Sequence, residues 1–224
     1  MIFELFRGRG ESQVDTIEAE IAEMLSAAGD TFAMAIGALL REVLPEEVGR
    51  PLRKRDKSIN RVERSIRRQL VVHAGVQGAS ADIPLLFVYM SISKDIERVG
   101  DIAKDLWDIA DAGADFSNAP DREEIVNYTA KLSDLVEKTA TVFGDRDEET
   151  AIRILNETDE LKDYFERLML SQLDSGEAAS EAVARALVFR HFQRIAAHLM
   201  NVMTAVVMPL DRLDYWDEKK LDRE

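Results

Sequence analysis

The sequence predicts an all-α protein arranged as two tandem three-helix bundles, and three observations point there. Six long stretches repeat their apolar residues at helical spacing, Pro and Gly clusters fall between them, and no stretch alternates as a strand would. The composition is rich in Ala, Leu, Glu, Asp, Arg and Ile and poor in Thr, Tyr and other aromatics, which favours helix over sheet.

The first helix is expected from Ser12 to Val43, with Ile17, Ile21, Leu25, Ala28, Phe32, Ile36 and Leu39 on one side and Pro45 and Pro51 beyond its end. The second is expected from Leu52 to His73, carrying Ile59, Val62, Ile66 and Leu70 and closed by Gly75 and Gly78. The third begins near Ser80-Ala81-Asp82, takes Pro84 in its first turn and continues to Asp111. Residues 113–121, with Gly113 and Pro120, form the clearest break in the chain. Beyond it the fourth helix runs from Arg122 to Phe143, the fifth from Glu148 to Leu173 and the sixth from Ala178 to Met208, before Pro209. Short connections make neighbouring helices antiparallel. The chain thus divides into a leader (1–10), a first repeat (11–113), a second repeat (121–208) related to it by a pseudo-twofold, and an acidic, aromatic tail (209–224).

Bulk properties narrow the function. A net charge of −14, from 43 acids and 29 bases, disfavours nucleic acid and repels anionic lipid except where bases cluster locally. The absence of cysteine excludes disulfides, thiolate metal sites and cysteine nucleophiles. No run approaches the roughly 18 apolar residues of a membrane span, and the start Met1-Ile2-Phe3-Glu4-Leu5-Phe6-Arg7 lacks the apolar core of a signal peptide. A cytoplasmic protein is expected. Ile2, Phe3, Leu5 and Phe6 with Arg7 and Arg9 either cap a bundle or touch a membrane surface or partner.

The stretch from Glu97 to Asp105 carries the most chemistry. Glu97, Asp101 and Asp105 recur once per turn and fall within one quadrant, while Val88, Ile92, Val99, Ile102, Ala103 and Leu106 lie on the far side. Like charges one turn apart repel, so such a stripe invites a cation. Its oxygen ligands suit magnesium, calcium, manganese or iron. The competing reading is a solvated face neutralised by Lys94, Arg98 and Lys104. Asp95 projects instead toward the apolar arc.

The two halves also repeat one another. With Glu97 laid on Gln193, Lys94 meets Arg190, Arg98 meets Arg194, Val99 meets Ile195, Gly100 meets Ala196 and Leu106 meets Val202. The second and fifth helices match more loosely, at Ile59-Asn60-Arg61-Val62 and Thr158-Asp159-Glu160-Leu161.

On the duplicated three-helix pattern and Glu97-Arg98-Val99-Gly100-Asp101, the chain over about residues 11–208 resembles the PhoU family of phosphate-uptake regulators. The resemblance implies tandem three-helix bundles with a Glu/Asp-x-x-x-Asp motif on the third helix of each. It implies a non-enzymatic regulator of phosphate uptake that binds a phosphate transporter, a sensor histidine kinase, or both, at the cytoplasmic membrane face. It further implies multinuclear metal, often iron or zinc, on the acidic faces, with Asp56 and Asn60 of the second helix as added ligands. The second face departs from the pattern. Gln193 and Ala197 replace its acids and Asn201 stands opposite Asp105, so metal is expected on the first repeat alone, and Arg190 and Arg194 are expected to contact a partner. A homodimer is a further expectation.

Two other readings compete. Glu157-Thr158-Asp159-Glu160-Leu161-Lys162-Asp163 resembles part of the acidic motifs of magnesium-dependent all-helical nucleotide pyrophosphohydrolases, without their upstream partner. A metal-free helical adaptor is the third. His73, His191 and His198 read as ordinary side chains, no Glu-x-x-His occurs, and the tail with Tyr215 and Trp216 either packs on the bundle or docks elsewhere.

Overall fold

A computed structural model describes residues 11–77 and 83–216. It contains six α-helices: α1 (Glu11–Leu39), α2 (Pro45–Gln77), α3 (Ile83–Asp111), α4 (Arg122–Asp145), α5 (Glu148–Ser171) and α6 (Ala179–Val207). No strand occurs among the described residues, so the all-α class holds. The 1–10 leader and residues 217–224 of the tail lie outside them.

Helix α1 packs against both α2 and α3, and α6 against α5 and, less extensively, α4, while α4 and α5 meet mainly through long side chains. The two sets meet where α3 lies on α6 and α1 lies on α4, and their apolar residues form one continuous core. Phe32 of α1 meets Phe192 of α6 edge to face at 6.1 Å between centroids, and Phe192 in turn meets Phe165 of α5 at 5.5 Å. Tyr128 of α4 extends this chain onto Phe165 at 5.5 Å. Such contacts add about 0.5–1.5 kcal/mol each beyond their burial.

Polar pins fix the ends. Buried Tyr89 of α3 and Arg146, just past α4, both donate to the same Glu18 oxygen on α1, which ties the two sets together. Arg41 takes a left-handed φ of 53° after α1 and donates to the carbonyls of Ala110 (3.3 Å) and Ala114 (3.1 Å), satisfying acceptors at the end of α3. The 113–121 break is pinned by Phe116, whose amide donates to Leu39 O at 2.9 Å and whose ring is buried.

The second helix differs from its sequence expectation. It starts at Pro45 rather than Leu52 and runs through Pro51. Pro45 occupies the first helical position, where its missing N–H costs nothing, and Trp107 Nε1 donates to its carbonyl at 2.8 Å. Pro51 lies on the exposed side, so the carbonyl left without a partner one turn earlier faces the solvent side of the helix. The tail packs back at least to residue 216, with Leu213 and Trp216 buried.

Candidate functional site

The acidic stripe is built by two helices. Gly100 lets α2 approach α3 closely: a Cβ there would stand 2.8 Å from Ile59 Cδ1. That approach brings Asp56 of α2 to the stripe, beside Asp101 and in the field of Glu97. Burial is the main force raising the Asp56 pKa above the ordinary carboxylate value, Lys104 opposes it, and Asp101 and Glu97 add to it. Asn60 follows one turn later on α2, half-buried.

Glu97 and Asp101 of the stripe have basic partners on α3. Lys94 Nζ lies 2.6 Å from Glu97 Oε2, Arg98 Nη1 donates to Asp101 Oδ2 at 3.2 Å, and Lys104 Nζ lies 3.6 Å from Asp101 Oδ1. Burial works to lower the Lys104 pKa, but Asp56, Asp101 and Asp105 together hold it above its ordinary value. Asp105 also faces α6, where its field partly offsets the burial that lowers the His191 pKa. Among the described residues, no three His, Asp or Glu side chains are grouped as a ready metal cage. Asp56, Glu97 and Asp101 are oxygen donors that repel one another, and lysine and arginine supply their counter-charges.

The corresponding face of α6 is chemically different. Buried Gln193 accepts a hydrogen bond from Arg190 Nη1, and Arg194 is half-buried one position on. Ala197 supplies no polar atom. Sequence reasoning left Asp95, His198 and Asn201 as separate residues, and the structure joins them. His198 Nδ1 lies 2.7 Å from Asp95 Oδ1, and Asn201 Nδ2 donates to the same oxygen at 3.0 Å, across the contact between α3 and α6. Asp214, at a left-handed φ of 69°, reaches this group, and its pKa is pushed up to about 6 by burial and by Asp95, against the opposing field of His198. The signal available was Asp95, an acid on an apolar arc facing the helix that carries His198. On α5, Asp159 is buried and paired with Lys162 at 3.3 Å.

Six helices, with α3 packed on α6 and an acidic stripe completed from α2, make up this helical bundle. Residues 21–110 match the PhoU domain directly, so the resemblance carried by Glu97-Arg98-Val99-Gly100-Asp101 holds. A phosphate-specific transport system accessory protein PhoU homologue of Synechocystis sp. is 25% identical over 200 residues, covering 88% of this chain and 88% of the relative. A Deinococcus radiodurans homologue of the same name is 30% identical over 147 residues, 62% of this chain and 64% of the relative. The fold matches crystal structures of PhoU from Pseudomonas aeruginosa (TM-score 0.76, 20% identity, 90% of this chain and 98% of that one) and of the phosphate transport system regulatory protein PhoU from Streptococcus pneumoniae (TM-score 0.74, 16% identity, 90% and 96%). No helix among the described residues is long and apolar enough to cross a membrane.

Proposed function

We propose that this chain regulates phosphate transport as an accessory protein, by binding rather than by catalysis. The observation that carries this reading is its similarity, over most of both chains, to the Synechocystis relative named an accessory protein of phosphate-specific transport. In this reading the protein works in the cytoplasm, against a transporter, its sensor histidine kinase, or both. The two repeats divide the work. The α2–α3 face of Asp56, Glu97 and Asp101, flanked by Asn60 and Asp105, holds a divalent or iron ion or a basic loop of the partner. The α6 face contacts a different partner surface through Arg190 and Arg194. Charge pairs of this kind chiefly set orientation and association rate, so partner binding weakens as salt rises.

Phosphate uptake and phosphate-starvation signalling in a clean deletion strain test the proposal. Loss of normal control, restored by the wild-type gene and only in part by Arg190→Glu with Arg194→Glu, is the expected result. Normal uptake and signalling in the deletion strain would refute it.

A further inference from the structure

Helix α2 carries a charge pattern opposite to that of the whole protein. Nine lysines and arginines lie on it against four acids, in a chain whose net charge is −14. They sort into three groups by what they meet, Arg53 alone lying over the Trp107 ring. Arg55 faces α1 and pairs with Asp30 at 2.7 Å, and Arg67 pairs with Glu63 at 2.6 Å. Arg50, Lys54, Lys57, Arg61, Arg64 and Arg68 are exposed, and none has an ion-pair partner among the described residues. Their spacing of four and three residues holds all six within an arc of about 80° and along about 27 Å of helix. The arc lies opposite Leu52, Ile59, Ile66 and Leu70, which are buried.

Two features say what this stripe fits. At its start, Arg50, Arg53, Lys54 and Lys57, outnumbering Glu46 and Asp111, rim a shallow cavity of about 660 Å³ beside Trp107, with Arg53 held 4.7 Å above the indole ring. At its far end the same side of α2 turns apolar, with Val71, Val72 and Val76 at 66%, 51% and 77% exposure. Ile83 and Phe87, at the start of α3 and hence at the same end of the antiparallel pair, are exposed as well.

We propose that the outer face of α2 is a docking surface for anionic lipid headgroups, with the bases lying on the phosphates and the apolar tip entering the interface. A straight row of unpaired bases with exposed apolar side chains at one end is the pattern of a helix resting on an acidic membrane surface. The remaining surface is predominantly acidic, so α2 is the face such a membrane attracts and the docked orientation follows from charge. An acidic protein segment or a soluble polyanion would be drawn to the bases but would have no use for the apolar tip. The proposal stands on charge and exposure and does not depend on the phosphate reading.

Co-sedimentation of the full chain with lipid vesicles tests it. Binding is expected to vesicles of phosphatidylglycerol and phosphatidylcholine at low salt, not to phosphatidylcholine alone, and to fall steeply toward about 1 M salt, where screening lengths shrink to about 3 Å. Lys57→Glu with Arg61→Glu and Arg64→Glu should abolish binding with helix content unchanged by circular dichroism, since neutralising a single base costs about fivefold. Val72→Ser with Phe87→Ser should weaken the binding that survives at intermediate salt. Arg190→Glu with Arg194→Glu should leave it intact, which separates this surface from the α6 face. Vesicle binding unaffected by the triple reversal overturns the proposal. So does failure to bind anionic vesicles at low salt, including the case in which the chain instead binds a poly-glutamate peptide or polyphosphate.

Discussion

Trp107 Nε1 donates a 2.8 Å hydrogen bond to the carbonyl of Pro45, and this bond holds the indole against Gly49 one turn along α2. A Cβ on residue 49 would lie 3.1 Å from Cε2 and Cη2 of that ring and closer still to Cζ2. The bond leaves the ring no retreat. Gly49→Ala is therefore expected to destabilise the protein by about 1–3 kcal/mol despite alanine's better helix propensity. Gly75→Ala, where no atom lies within 4 Å of the added carbon, should be neutral or stabilising by up to about 1 kcal/mol. Urea midpoints for the two variants check the contrast, and equal midpoints would contradict it.

The carboxyl of Asp214 governs one part of the pH dependence. Its folded pKa of about 6 lies above the ordinary 3.8, so its contribution to stability is fully present below about pH 3.8 and is lost as pH rises through 6. Asp214→Asn removes that loss. The variant should match the wild type near pH 3.5 and melt at a higher temperature at pH 7. Parallel melting-temperature curves from pH 3.5 to pH 7 would show that this carboxyl is not opposed in the folded state.

Metal on the first repeat is testable by elemental analysis of the purified protein. Glu97→Gln with Asp101→Ala should abolish bound metal, and Gln193→Glu with Ala197→Asp should create capacity on the second repeat. Protons compete with an ion for Asp56, whose pKa is raised, so affinity should fall with falling pH earlier than for ordinary carboxylates. Asp56→Asn should flatten that pH dependence. Full metal content in the Glu97/Asp101 double variant would mean that the stripe is only a solvated face.

Arg185 of α6 holds the 113–121 break in place. It is buried, donates to Asp121 just before α4, lies 3.0 Å from Glu177 Oε2 and sits 5.6 Å from the Phe116 ring centroid. Arg185→Ala strands two carboxylates and empties the space over Phe116, at an expected cost of about 1–3 kcal/mol. Arg185→Met keeps the stem packed and should cost less. Equal losses for both would place the whole effect in the charges.

Helical periodicity is local, so the six helices, their order and the shared quadrant of Glu97, Asp101 and Asp105 were legible in the sequence alone. The expectation that Gln193 and Ala197 stand in place of acids came from laying the sixth periodic segment on the third. Contacts between distant residues were not. Pro45 and Pro51 read as breakers, but Pro45 stands at the first helical position and the carbonyl freed by Pro51 lies on the exposed side, so α2 continues through both. Asp56 became part of the stripe because Ile59 packs into the space left by Gly100. Asp95 found His198 and Asn201 only across the α3–α6 contact. The bases of α2 were visible at their spacing, but a net charge of −14 concealed them. Packing separated the bases that meet an acid from those that do not: Arg55 lies against Asp30, while Lys57, Arg61 and Arg64 are exposed with no ion-pair partner among the described residues.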